Sequence, residues 1–191
     1  ARLRQERVRS APAARRRRLG FVAGLTVAAT ALAVTVMFLL PSDVPGGTVI
    51  ASAAELQALP SEGPPPPPAT RTLLAKDVQG VPFPNYRAKF GWRASGQRED
   101  VVHGRRAIAV FYQRGGRRIG YSILTGDAVS PPKDARRAAR EGTLLRSFEV
   151  GGRTVVTWER EGRTCVMSAV GVPRDTLYDL AGWKGKGTVP F

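Results

Sequence analysis

Three regimes of hydrophobic patterning follow one another along the chain. From Leu19 to Leu40 run 22 residues with no charge, no proline and nothing more polar than threonine. At 1.5 Å per residue such a helix spans roughly 30 Å, the thickness of a bilayer's hydrocarbon core, and a buried helix of a soluble domain would keep a polar stripe. This regime predicts a transmembrane helix over 19–40. From 41 to 76 periodicity disappears: "PSDVPGGTVI" is rich in turn formers, "ASAAELQAL" has room for two helical turns, and "PSEGPPPPPAT" suits neither helix nor sheet. The five prolines from Pro64 to Pro68 predict a polyproline II rod about 15 Å long at about 3.1 Å per residue. This segment reads as a linker that holds the folded part away from the bilayer.

Strict alternation begins in the third regime. In "RRAIAVFYQRGGRRIGYSILTG" the residues Ile108, Val110 and Tyr112 share one face of a strand, and Ile119, Tyr121 and Ile123 share one face of the next. Gly115 and Gly116 between them supply the positive φ of a tight hairpin. "SFEVGGRTVVTWEREGRTCVMSAV" repeats the design, turning at Gly151 and Gly152 and again at Glu161 and Gly162, which describes an antiparallel meander. "YRAKFGWRASGQREDVV" supplies another strand, "PPKDARRAAREG" reads as an exposed loop with a helical turn, and "VPRDTLYDLAGW" as a short helix with Pro173 in its first turn. The predicted fold class is α+β: a single transmembrane helix followed by a small antiparallel meander with a short C-terminal helix. Its parts are a basic stub at 1–18, the span at 19–40, the linker at 41–76 and a domain at 77–191.

Charge sets the orientation. Arg15, Arg16, Arg17 and Arg18 abut one end of the apolar run, whereas the next basic residue after Leu40 is Arg71. The positive-inside rule therefore predicts a single-pass cell-membrane protein with a cytoplasmic N-terminus and an extracytoplasmic C-terminus. A secretory signal peptide fits less well, because the run is long and the small residues Ala51, Ser52 and Ala53 lie well beyond its end. The stub carries eight arginines and one glutamate, +7, and the remainder 22 basic and 14 acidic residues, +8. A basic stub beside a membrane is a topology and headgroup signal, so membrane lipids are expected partners and nucleic acid is not. The outer excess favours anionic envelope polymers in a nonspecific way.

Chemistry is sparse in the outer part. His103 sits beside Gly104 in a predicted turn, and Cys165 is in phase with Met167 and Ala169, so it reads as a small buried hydrophobe. One cysteine makes no intrachain disulfide, and one His with one Cys makes no ordinary zinc site. Glu99 and Asp100 are adjacent and point to opposite faces of a strand; Glu159 and Glu161 share a face but flank a turn. The reading is therefore no enzyme, no catalytic residue and no cofactor in this chain. Tyr86, Trp92, Trp158 and Trp183 are candidates for a ligand groove, with core packing as the alternative role.

The order of basic stub, apolar span, "ASAAEL", proline-rich spacer, "VPFPNYRAKFGWRASGQRED", "GRRAIAVFYQRGGRRIGYSILTG" and "RTVVTWEREGRTCVMSAVGVPRDTLYDLAGW" resembles the membrane-anchored anti-sigma factors of high-GC bacteria. An excess of arginine over lysine, 25 to 5, is in keeping with such coding. The resemblance implies a cytoplasmic zinc-binding domain ahead of Ala1, with a His-x3-Cys-x2-Cys pattern that these residues do not contain. Zinc is expected only there, and a sigma factor is expected to bind through that domain. The outer domain would then sense or bind an envelope protein or polymer. A bitopic envelope scaffold, complete as written, is the alternative.

Overall fold

The computed structural model of the chain describes residues 45–185. Arg15 to Arg18 and the apolar run at 19–40 lie outside the described residues, among which no helix is long and apolar enough to cross a membrane. Nine strands and three helices follow in order among them: α1 (Gly46–Leu56), β1 (Leu73–Val78), β2 (Val81–Pro84), α2 (Arg87–Phe90), β3 (Arg93–Val102), β4 (Arg105–Arg114), β5 (Arg117–Leu124), β6 (Arg136–Arg140), β7 (Thr143–Val150), β8 (Arg153–Arg160), β9 (Arg163–Ala169) and α3 (Arg174–Gly182). The architecture is mostly β. Seven strands form one antiparallel sheet in the order β3-β4-β5-β9-β8-β7-β6, and β1 and β2 form a separate hairpin.

This corrects the expected α+β fold of a single transmembrane helix and a small meander. The three glycine-bearing turns fall where the alternation put them, with Gly115, Gly116, Gly151, Gly152, Glu161 and Gly162 all at positive φ. However, there are two meanders, β3-β4-β5 and β6-β7-β8-β9. They are joined side by side where Ile119 to Ile123 of β5 pairs with Ala169 to Cys165 of β9. The "RRAAR" segment, read as a loop with a helical turn, is the edge strand β6, paired from Arg136↔Ser147 to Arg140↔Thr143. Its arginines are suited to that place, because a charged edge resists further strand addition.

Both faces of the sheet are covered. On one face Ile108, Val110, Tyr112, Ile119, Tyr121 and Ile123 pack with Cys165, Met167, Val156 and Trp158 under the β1-β2 hairpin and α3. On the other, Ala107, Leu124, Val155 and Val166 pack against Val49, Ile50, Ala53 and Ala54 of α1. The i, i+1, i+4, i+5 spacing of those four helix residues makes a single apolar stripe, which is why "TVIASAAEL" docks as a helix.

The expected linker at 41–76 is therefore corrected as well: α1 and the proline-rich stretch are built into the same compact unit as the sheet. After α1 the chain runs along the outer edge of β3, where Gly63 N–H donates to the Gln97 carbonyl at 3.0 Å and Gln97 N–H returns a bond to Gly63 at 3.1 Å. Pro67 accepts from Ala75 N–H of β1 at 2.8 Å. Prolines carry no N–H, so the run accepts bonds but cannot extend the ladder, and it closes the β3 edge. Arg98 clamps this strap: its side chain, 7% exposed, reaches Asp100 at 2.6 Å and Glu62 at 3.1 Å, and donates to the Pro60 carbonyl at 2.7 Å.

Candidate functional site

The four aromatic residues proposed for a groove are all buried, and the fold brings them together only in part. Tyr86 is the hub: its ring lies 4.9 Å from Tyr112 and 5.8 Å from Trp183, and its hydroxyl donates to the Leu180 carbonyl of α3 at 2.9 Å. Trp158 packs instead against Tyr121 at 5.1 Å. The indole N–H of Trp92 is buried without an acceptor among the described residues. The groove expectation thus resolves into an aromatic core that ties α2, α3 and the sheet together.

Two of the four, Trp158 and Trp183, also form part of the wall of a cleft of about 410 Å³ where β7 and β8 leave the sheet beside the end of α3. Leu144 stands at its edge, 79% exposed although it is a large aliphatic side chain on a strand. Glu159, Arg160, Glu161 and Lys184 supply charges of both signs around it. Arg160 bridges two layers, donating to the carbonyls of Pro82 at 3.5 Å and Lys184 at 3.4 Å. The hydroxyl of Thr143 lines the same cleft, buried and without a hydrogen-bond partner among the described residues. An aromatic wall, an exposed aliphatic side chain, mixed charges and an unused hydroxyl suit a ligand carrying both apolar and ionic groups.

Behind the cleft the reactive groups are held neutral. Cys165 is fully buried and burial pushes its thiol up to about 12, so it is not a thiolate at neutral pH. The Tyr121 hydroxyl donates to its Sγ at 3.4 Å. Burial likewise raises Tyr86, Tyr112 and Tyr121 above the ordinary phenol value.

One contact escaped the linear reading. Ser52 of α1 and His103 in the β3-β4 turn meet at 3.2 Å between Oγ and Nε2, although 51 positions separate them, so no local motif could have revealed the pair. No carboxylate is bonded to the other ring nitrogen of His103 among the described residues, and the pair is exposed. It pins α1 to the turn. Glu99 pairs with Arg106 at 2.6 Å and Asp100 with Arg98 at 2.6 Å, so both adjacent carboxylates serve in ion pairs. Among the described residues no group of three or more His, Cys, Asp or Glu is placed to hold a metal.

Comparison with protein-family models, with curated proteins and with solved structures returns no match.

Proposed function

We propose that this chain is the outer, ligand-binding part of a membrane-attached anti-sigma factor, with residues 19–40 as its membrane attachment and the cleft beside Trp158 and Trp183 as its binding site for an envelope protein or polymer. The inhibitory contact with an extracytoplasmic-function sigma factor belongs, in this reading, to a zinc-binding domain ahead of Ala1.

The observation that carries the reading is the continuity of tether and binding domain. Only residues 41–45 lie between the apolar run and α1 in the sequence, and α1 buries Val49, Ile50, Ala53 and Ala54 in the sheet's own core. A ligand that shifts the sheet therefore acts on a helix that begins five residues after the apolar run in the sequence. The two-sided packing leaves sheet ends and edges for recognition, and the cleft lies at such an end. No reaction step is assigned to it; the function is binding coupled to release of a partner elsewhere in the chain.

The test is the intact mass, zinc content and partner set of the native protein extracted from its own membranes. The expected product is longer by roughly 8 to 10 kDa, enough for one zinc-stapled helical domain, and carries a sigma factor with it. A native chain that begins within a residue or two of Ala1 and brings down wall or division proteins instead overturns this reading in favour of a bitopic envelope scaffold.

A further inference from the structure

A second recess, about 280 Å³, opens where the β4-β5 turn meets the start of β8 and the end of β9, lined by Arg117, Arg118, Arg153, Gln57 and Val170. Two of these cations, Arg118 and Arg153, are held entirely by neutral groups. Arg118 stacks on Phe111, with its guanidinium carbon 3.7 Å from the ring centre, and donates to the Leu59 carbonyl at 2.8 Å. Arg153 donates through Nε and Nη2 to the Ser168 hydroxyl at 3.2 and 3.1 Å. That hydroxyl in turn donates to Gln57, which also donates to Ser122 and the Val166 carbonyl. No carboxylate pairs with Arg117, Arg118 or Arg153 among the described residues, whereas the neighbouring Arg98 has two.

Such an arrangement is costly without a counterion. Burial lowers the pKa of both Arg118 and Arg153, and the charge of Arg118 lowers Arg153 further. Each guanidinium is nevertheless locked in orientation, Arg118 by stacking and Arg153 by its two bonds to one oxygen, with Nη1 left unused on both. Pre-aimed planar forks facing one recess are the geometry that a tetrahedral oxyanion fits, since each can offer paired N–H groups to its oxygens. Beside them Val170 is 58% exposed and Leu59 43% exposed, so a ligand with an apolar portion has somewhere to put it.

We propose that Arg117, Arg118 and Arg153 bind the phosphate group of an anionic ligand, borne either by a lipid headgroup or by a soluble or polymeric phosphate. The site is separate from the cleft at Trp158 and does not depend on the anti-sigma reading.

The test uses the full chain in nanodiscs of phosphatidylcholine alone, with phenylglyoxal labelling of arginines resolved by peptide mass spectrometry. Inorganic phosphate is expected to protect Arg117, Arg118 and Arg153 saturably while leaving Arg136 and Arg137 on β6 unprotected. Arg153→Gln should weaken that protection of the remaining two by about tenfold, as for loss of one charge-assisted pair, and Arg117→Gln by less. Arg117 is exposed and unbonded, so its variant keeps the test open should Arg153→Gln fail to fold. Protection in discs containing phosphatidylglycerol without added phosphate assigns a headgroup source; protection by phosphate but not by those discs assigns a soluble or polymeric one. Equal protection of Arg136 and Arg137, or none at any of the three, overturns the proposal.

Discussion

The two faces of the sheet are packed by opposite means. Under the β1-β2 hairpin and α3 the contacts are between large rings: Phe83 on Tyr121 at 5.1 Å, Tyr121 on Trp158 at 5.1 Å and Phe90 on Trp183 at 5.6 Å. Under α1 the sheet offers aliphatic and small residues, Val155, Val166, Ala107 and Gly120 among them, and the helix answers with Val49, Ile50, Ala53 and Ala54. Stability on the first face comes from apolar area and ring geometry, which tolerate several relative placements of the layers. On the second it comes from close approach, and a buried polar seam of Gln57, Ser122 and Ser168 sets the helix's position. Bulk holds one layer on; a satisfied hydrogen-bond network registers the other.

The comparison is broken most severely on the aromatic side. Trp183→Ala removes a ring 1% exposed that touches Tyr86 and Phe90, and should destabilise the domain by about 3–5 kcal/mol in urea titrations. A loss below about 1 kcal/mol would mean that α3 and its following turn are not part of the cooperative core.

Gly120→Val tests the other side. A Cβ at Gly120 would lie 2.5 Å from the Cβ of Gln57, and that atom, at the root of its side chain, can move only if α1 moves. The expected cost is about 1–3 kcal/mol, of the size seen for overpacking, with amide exchange speeding up in α1 before the sheet. Uniform loss of protection across the sheet would show instead that the two faces unfold as one.

Alkaline pH separates the faces with no mutation at all. Buried titrating groups with raised pKa lie on the aromatic face: Cys165, pushed from 9.0 to about 12, and Tyr86, Tyr112 and Tyr121, each above the ordinary 10.0. A proton held more tightly in the fold than in the unfolded chain contributes its full stabilisation below the unfolded pKa and loses it as pH climbs towards the folded one. The unfolding free energy from urea titrations should therefore begin to fall near pH 9 and fall faster above 10, with a limiting slope of about 1.4 kcal/mol per pH unit for each group. Cys165→Ala should remove the first part of that limb. A flat unfolding free energy from pH 8 to 11 would contradict the burial of all four.

Much of the sheet was legible because its signals are local. Alternation in 108–112 and 119–123 and glycine at the hairpin tips are properties of a few neighbouring residues, and they identified strands, turns and the phase of Cys165. The segment 46–68 was misread for the converse reason. Its prolines and small residues carry a linker's composition, while the bonds that fix it come from Gln97, Arg98 and Ala75. The aromatic candidates were ambiguous for a similar reason: side chains that line a cleft and those that fill a core look alike until their neighbours are known, and Trp158 and Trp183 do both.

By itself the sequence determined where the inner strands of the sheet run and turn, though not β6 or the β1-β2 hairpin, because side-chain alternation and positive-φ glycines act within a few residues. It also set the charge pattern and the apolar run at 19–40. Only the tertiary structure decided that β5 lies beside β9, that α1 and the proline strap belong to the domain, and that Arg118 and Arg153 face a common recess 35 positions apart in the chain. Those outcomes depend on which distant surfaces fit at close range, and fit is a property of shapes that exist only after the chain has folded.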